Sequence, residues 1–425
     1  MKIAVIGTGY VGLSTGISLC IKGHSVKFFD SNKKKIDGYK NGKITFYEKG
    51  MEEALKASLK NKRASFTTSL EELLEDSEIV FICIGVKNLK DKSQDLEGLA
   101  ELIEQIKKLL DNEKIIAIKS TINPLSYLEI KKSLNESKIH LAANPEFLRE
   151  GYALQDALEP LRIVVGTEDK YSKEKFEKLY SVFDAPKIFT DPISALVIKY
   201  AANSFLGVKI SYINEIANLC EKIGGNIDDV SLGLGLDPRI GKDFLQAGIG
   251  FGGSCLPKDI KNFIKFAELQ KSPLTIIESA EKVNRAQYKS VIEKLEKHLS
   301  SLEGKTIAVF GLSFKAGTDD LRESLSLKII QQLEKKGAIV RAQDFLSFES
   351  ARTILKKATV SDDPYVVAEN SNAIIITTED KQYQNLDWKR IKKLMIGNVI
   401  IDGRNILDSE KLKKIGFIYE GIGRR

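Results

Sequence analysis

Hydrophobic and polar positions follow two different rhythms along this chain. Near the start, KIAVIG (2–7) is a nearly unbroken apolar run of the kind that a strand covered on both faces requires. It passes at once into GTGYVG and a helical pattern carried by Leu13, Ile17 and Leu19 to Ile21. Similar strand runs recur at SVKFFD (25–30), EIVFICIG (78–85), KIIAIKST (114–121) and the start of HLAANPEFLREG (140–151), alternating with helical spacing to about residue 190. That alternation predicts a doubly wound α/β domain over 1–190. From Pro192 to about Gly224 the period changes. Leu206, Ile210, Ile213, Ala217 and Cys220 stand at alternating steps of four and three, predicting one long helix opened by Asp191 and Pro192 and stopped at Gly224 and Gly225. Helical stretches at 226–235 and 273–300 complete an all-α segment over 191–300. At Lys305 the first rhythm restarts: KTIAVFGLSFK echoes KIAVIGTGYVG, and strands at 338–343, 373–378 and 398–405 predict a second doubly wound domain over 301–425.

The stretch after the first strand has the form G-x-G-x-x-G. Gly7 makes the tight turn, Gly9 lets a pyrophosphate approach the backbone, and Gly12 allows helix to pack on strand. The next strand ends in Asp30, at the spacing where a carboxylate bonds a ribose 2′-hydroxyl, which favours NAD over NADP despite the lysines at 33–35. The second domain lacks the third glycine, so a mononucleotide suits it better than a second dinucleotide.

A second glycine-rich stretch, GIGFGGSCLPKD (248–259), is the centre of the chemistry. Four glycines in six residues leave little bulk, so a ligand can come close to the main chain and positive φ becomes available. Pro257 suits a first helical turn, and the run from Lys258 has helical apolar spacing at Ile260, Phe263, Ile264 and Phe266. Cys255 would then lie just ahead of a helix N-terminus with Lys258 nearby, which lowers a thiol pKa; the alternative is a buried, inert cysteine. On the long helix Lys199 and Asn203 stand four apart in apolar surroundings, so this face is either solvent-exposed or lines a site. Thr121 ends a strand where such sheets face their ligand, as either a site residue or a cap. Glu146 and Glu150, with Arg149 between them, share a face if NPEF opens a helical turn; otherwise they form an exposed charged turn.

Composition narrows the class. The chain has 425 residues, 43% hydrophobic and 29% charged, as expected for two or three globular domains. No uninterrupted apolar run approaches the roughly 18 residues of a membrane span, and the opening residues lack a signal-peptide cleavage pattern, so a cytoplasmic protein is expected. The four cysteines (20, 83, 220, 255) and three histidines show no metal-ligand spacing, which argues against a metal site or a disulfide framework. The net charge of +7 is scattered among acidic residues, as on a solvated surface rather than a nucleic-acid stripe, and it would attract an acidic, phosphate-bearing substrate.

Taken together, GTGYVG, NPEFLREG, IKYAANSFL, INEIANL, DPRIG, GIGFGGSCLPKD, GLSFKAGTDDLRES and DGRN, in that order over essentially the whole chain, resemble the UDP-glucose 6-dehydrogenases of the wider nucleotide-sugar dehydrogenase group. The resemblance implies two Rossmann-like domains joined by a long central helix and an all-α dimerisation segment. It implies a four-electron oxidation of a UDP-glucose C6 alcohol to a carboxylate with two NAD in succession. By it, Cys255 is the nucleophile that carries a thiohemiacetal and then a thioester. Lys199 and Asn203 stabilise oxyanion charge, while Glu146, Glu150 and Asp259 move protons and activate water that Thr121 helps to hold. The resemblance assigns NAD to Gly7, Gly9, Tyr10, Val11, Gly12, Asp30, Lys35, Thr121 and Glu150, with Lys258 and Arg322. It assigns UDP-sugar to Phe147, Leu148, Arg149, Lys199, Asn203, Gly248, Phe251, Gly252, Lys315 and Arg404, and it sends Arg239 to a neighbouring subunit's sugar site in a homodimer. Two places depart from the family: Val86 and Lys87 stand where it usually has Thr-Pro, and after Thr121 the proline comes one residue late, in INPLS. Rival readings are a dehydrogenase of another nucleotide sugar, such as UDP-N-acetylmannosamine, a two-electron hydroxyacid dehydrogenase, and a non-catalytic NAD or sugar-nucleotide sensor.

Overall fold

A computed structural model describes residues 1–88, 94–110, 112–134 and 138–424. The chain divides into two compact units, Met1–Ala202 with Lys261–Gln270, and Asn203–Ile260 with Lys271–Arg425.

The first unit is built on an eight-stranded sheet. Its strands are β1 (Lys2–Ile6), β2 (Ser25–Phe29), β3 (Ala64–Thr67), β4 (Ile79–Ile82), β7 (Lys114–Ile118), β8 (Ile139–Ala143), β9 (Ile163–Gly166) and β10 (Lys187–Thr190), with β5 (Lys87–Asn88) and β6 (Gln94–Asp95) forming a separate hairpin. The spatial order is β10-β9-β8-β7-β4-β1-β2-β3. The apolar run of β1 is explained by cover on both faces. Ile3 and Val5 join one core with Leu13, Phe28 and Phe176, while Ala4 and Ile6 join another with Ile82, Ile103 and Ile118. Strand order reverses beside β1, so the loops leaving β1 and β4 open a crevice at their carboxyl ends. The sheet is parallel from β3 to β8, but β9 pairs antiparallel with β8 through Ala143 and Gly166, so β9 and β10 run against the rest. An antiparallel neighbour needs no helical crossover, which frees residues 144–162 to fold beside the crevice.

The second unit carries an all-parallel six-stranded sheet of β11 (Thr306–Phe310), β12 (Ile339–Gln343), β13 (Thr359–Ser361), β14 (Ala373–Ile376), β15 (Val399–Asp402) and β16 (Ile418–Gly421), in the order β13-β12-β11-β14-β15-β16. Alternate residues again face two cores, Ile307 and Val309 on one side and Ala308 and Phe310 on the other. The sequence pattern misses β13 and β16 because they are short edge strands with alternating rather than continuous burial. The expected helix over 273–300 is two, Thr275–Gln287 and Lys289–Leu299. Tyr288 between them keeps helical dihedrals (φ −62°, ψ −17°), so the apolar period reads straight through the break.

The long helix runs Pro192–Ile223, 32 residues and so about 48 Å, and the division between units falls within it. By length and composition it could cross a bilayer. Its buried polar side chains, among them Lys199, Asn203, Ser211 and Asn214, mark it instead as a core helix.

Candidate active site

The dinucleotide motif folds as its glycines require. Gly7 has φ +89°, and a Cβ there would come within 2.8 Å of the Cys83 carbonyl oxygen; a Cβ at Gly12 would lie 1.8 Å from the Gly7 oxygen. At Gly9 a Cβ would meet no protein atom within 4 Å. Its missing side chain therefore serves nothing inside the protein and keeps a cradle open at the start of the helix Tyr10–Ile21, where a pyrophosphate is favoured. Asp30 closes the turn. Its Oδ2 accepts from the Thr8 amide (3.1 Å), the Thr8 hydroxyl (2.7 Å) and the Lys35 ammonium (2.9 Å). Burial alone would raise the Asp30 carboxyl, yet the Thr8 hydroxyl and Lys35 hold it below the usual carboxylate range. It thus stands ionised, and Lys35 acts on it directly. Tyr10 is fixed by its hydroxyl on the Tyr47 carbonyl (2.9 Å) and its ring against Phe46 (4.2 Å), with Val11 half-buried beside it. These residues fit NAD. Of the departures from the family, Val86 is buried in the core and the Lys87 side chain lies outside the described residues.

NPEFLREG is not a helical turn. After β8 it runs as an irregular loop into a turn at 150–151, and Glu146 Oε2 takes the Leu148 amide at 2.6 Å and removes it from any helical ladder. Glu146 is buried rather than displayed, and Lys199 donates to its Oε1 at 2.9 Å, both side chains no more than 7% exposed. Burial would raise the Glu146 carboxyl, but Lys199, the Leu148 amide and the charge of Lys119 bring it below its usual value. Lys119, the residue after β7, is buried as well. It donates to Asn144 Oδ1 (3.0 Å), which also accepts from Tyr180 (2.6 Å), and desolvation lowers its ammonium. Phe147 packs under Arg162 (3.8 Å) and Lys199 (5.5 Å). Arg149 is exposed and bound to Asp156 through Nε (3.0 Å) and Nη2 (2.6 Å); Leu148, Glu150 and Thr121 are half-buried.

In the second unit the glycine-rich loop ends in the helix Leu256–Leu269, and Cys255 is its N-cap: the Cys255 carbonyl accepts the Asp259 amide at 2.9 Å. Cys255 is the exposed thiol; Cys20, Cys83 and Cys220 are buried, with burial pushing Cys20 and Cys83 up to about 12. Ser254 Oγ stands 3.6 Å from its sulfur. Asp259, 1% exposed, accepts from the Asn203 amide at 2.7 Å, and Lys258 lies 3.6 Å from its other oxygen. Gly207 lets the long helix approach closely, since a Cβ there would strike Ile260 at 2.6 Å and Phe251 at 3.2 Å.

The glycines of this loop are also required by packing inside the protein. A Cβ at Gly248 would meet the Gly403 oxygen at 2.9 Å, at Gly252 the Glu323 oxygen at 2.3 Å, and at Gly253 the Phe314 ring at 2.6 Å. They are spent on packing against the protein's own loops, and only Gly250 and Gly253 use positive φ. Three side-chain amides not singled out from the sequence as site residues hold the loop. Asn214 accepts from the Gly248 amide (2.8 Å), Gln287 donates to the Gly248 carbonyl (3.1 Å), and Asn284 bonds both the amide (2.8 Å) and carbonyl (3.0 Å) of Phe251.

Arg404 follows β15, and its side chain reaches back across the loops after β14 and β11. It donates to the carbonyls of Thr377 (2.9 Å), Gly250 (3.1 Å) and Phe314 (3.5 Å) and pairs with Glu379 (3.2 Å), joining the glycine-rich loop to the strand ends. Lys315 follows on the same side, its ammonium 5.6 Å from the Phe314 ring centroid. Asp344 repeats the part of Asp30, but its two oxygens are filled by Leu312, Ser313, Leu346 and Ser347, and at 4% exposure it offers nothing to a ribose. Arg322 and Arg239 each fork onto a neighbouring aspartate, Asp320 and Asp237, with both guanidinium groups projecting into solvent.

Three domain models of one family match the chain, all described as UDP-glucose/GDP-mannose dehydrogenase family: the NAD binding domain over residues 1–184, the central domain over 193–286 and the UDP binding domain over 308–409. Among curated relatives, UDP-glucose 6-dehydrogenase of Rickettsia felis is 39% identical over 433 residues, covering 100% of this chain and 97% of its own. Among solved structures, a UDP-glucose dehydrogenase from Pyrobaculum islandicum aligns with a TM-score of 0.92 at 34% identity, covering 100% of this chain and 98% of that one. UDP-D-ManNAc dehydrogenase from Pyrococcus horikoshii aligns at 0.88 and 28% identity, with 100% and 99% covered.

Proposed function

This chain belongs to the UDP-glucose/GDP-mannose dehydrogenase family, whose members are NAD-dependent, and from that premise we propose that it oxidises UDP-glucose at C6 to UDP-glucuronate by four electrons. The carrying observation is Cys255, an exposed thiol at the N-cap of a 14-residue helix in a protein whose other thiols are buried. NAD, when bound, supplies the hydride acceptor for each of the two oxidations. In the first, the C6 hydroxyl proton passes to Glu146, Glu150, Asp259 or Lys199 as the C6 hydride leaves, giving an aldehyde. The Cys255 thiolate then forms a C–S bond to that carbon, and the positive Lys199 and the Asn203 amide steady the oxyanion. Loss of a second hydride gives the thioester. Water held by Thr121 and deprotonated by a carboxylate attacks it, breaks the C–S bond and releases the carboxylate and the thiol.

We assign UDP-sugar to Phe147, Leu148, Arg149, Gly248, Phe251, Gly252, Lys315 and Arg404, and further NAD contacts to Thr121, Glu150, Lys258 and Arg322. The three-part division 1–190, 191–300 and 301–425 follows these roles. A homodimer is supported by Phe205, Tyr212 and Leu219, exposed at seven-residue steps along the long helix, and by exposed Leu232 and Leu236 in and just after the next helix; Arg239, 87% exposed, would then serve the neighbour's sugar site. An exposed nucleophilic thiol suits a reducing compartment, hence the cytoplasm.

The test is NADH formed per mole of limiting UDP-glucose, for wild type and Cys255→Ser. Two equivalents for wild type, with the variant stalled, are expected. Two equivalents only with another UDP-sugar would overturn the substrate but keep the mechanism, and none with any sugar nucleotide would overturn the enzyme reading in favour of a sensor.

A further inference from the structure

The turn that carries Thr121 is held from outside by one buried side chain. Gln94, the first residue of β6, is 9% exposed and has its whole amide engaged. Its Oε1 accepts from the Asn123 amide at 2.8 Å and from Asn123 Nδ2 at 3.1 Å. Its Nε2 donates to the Thr121 carbonyl at 3.0 Å and to the Tyr200 hydroxyl at 3.2 Å. The orientation of the amide is fixed by this pattern, because a backbone N–H on one side and a carbonyl on the other leave a single satisfied arrangement. Asn123 is in turn the N-cap of the helix Pro124–Ser133, its side chain accepting the Ser126 amide at 3.0 Å. Asn123 is also the residue that delays the proline in INPLS, so the departure from the family's spacing falls on the group Gln94 grips. Tyr200 is fully buried, stacks on Phe263 at 5.3 Å, and directly follows Lys199.

We propose that Gln94 is a positioning residue of the reaction, fixing Thr121 for cofactor and water by clamping its turn between β6 and the Tyr200 step of the long helix. This rests on the reading of Thr121 as an NAD contact. Gln94 touches no reacting atom. Its effect passes through the Thr121 carbonyl, which sets where the Thr121 side chain stands, and its second donor hydrogen links the same turn to the residue beside Lys199.

Two variants separate positioning from mere support. Gln94→Leu removes all four bonds. Gln94→Glu keeps both acceptor contacts and nearly the same shape, but puts a carboxylate oxygen against the Thr121 carbonyl oxygen, a repulsion that raises the new carboxyl's pKa and disappears on protonation. NAD dissociation constants, measured calorimetrically without sugar between pH 5 and 8.5 beside thermal unfolding, read the effect independently of the substrate assignment. At pH 8.5 both variants are expected to bind NAD at least about tenfold more weakly. Gln94→Glu recovers to within about threefold of wild type toward pH 5, where its neutral carboxyl can donate to Thr121, and Gln94→Leu does not. Thr121→Val should weaken NAD similarly, and adding Gln94→Leu to it should cost less than a further twofold if the two act through one path. Weakening that is equal in both variants at every pH and tracks a fall in unfolding temperature would overturn the proposal, leaving Gln94 a structural residue. So would NAD binding untouched in both variants while Thr121→Val is impaired. A harmless Thr121→Val would remove the underlying reading of Thr121 as well.

Discussion

Glu146 and Lys199 meet at 2.9 Å in an interior where neither side chain is more than 7% exposed. A buried pair of this kind contributes little net stability, but breaking it strands a charge. Glu146→Gln is therefore expected to lose about 3–5 kcal/mol at pH 7, because it takes from the buried Lys199 the carboxylate to which it donates at 2.9 Å. Replacing Lys199 by Met in the same chain should return part of that loss, and urea unfolding of the single and double variants measures both. The pH dependence has a definite direction. The Glu146 carboxyl is held below its unfolded value of about 4.3, so its contribution is complete above that value and is lost as pH falls through the lower native one. The gap between wild type and Glu146→Gln should thus narrow below about pH 4; a gap that stays constant there would refute the assignment of the charge. Chemistry at this scale was only partly legible. The sequence marked Glu146 and Lys199 separately, but nothing in spacing or composition pairs residues 53 positions apart or finds Lys119 behind them, because burial of a charge is decided by tertiary packing.

Among elements, the strand–turn–helix at the start of the chain was the most legible, since its glycines are dictated by local backbone geometry. The two glycines that a sequence pattern treats alike separate on substitution. Gly12→Ala forces a Cβ to 1.8 Å from the Gly7 oxygen and should unfold or strongly destabilise the first unit, whereas at Gly9 a Cβ has no protein atom within 4 Å. Gly9→Ala is expected to leave the unfolding temperature within about 2 °C of wild type, a change of a few tenths of a kcal/mol, while weakening NAD tenfold or more. A Gly9→Ala protein that binds NAD normally would exclude the cradle as the pyrophosphate site. The glycine-rich loop before Cys255 was legible only in part. Glycine in a loop signals close approach of something, and the protein's own Gly403, Glu323 and Phe314 are among what comes close here. Sequence gives the vacancy but not its occupant. NPEFLREG failed as a helical turn because Glu146 itself captures the Leu148 amide, a local competition that residue spacing does not reveal.

For the whole molecule, the two doubly wound sheets were legible from the restart of the strand rhythm at Lys305, while the reversed pair β9–β10 was not, because the residues of a strand read the same whichever way it runs. Assembly belongs to this scale too. Phe205, Tyr212 and Leu219 are 64%, 49% and 50% exposed on one stripe of the long helix. Leu219→Glu, made with Phe205→Glu, is expected to convert a dimer to monomers in sedimentation while each chain keeps its helical signal; an unchanged sedimentation coefficient would reject this stripe as the interface. One further consequence follows from the unequal burial of the four cysteines. To a water-soluble electrophile the molecule behaves as a monothiol, so a small alkylating reagent under native conditions should add once per chain, at Cys255, and the mass of the intact protein counts the adducts. Stoichiometric labelling then becomes a titration of competent chains in any preparation, a concentration standard that needs neither cofactor nor knowledge of the sugar.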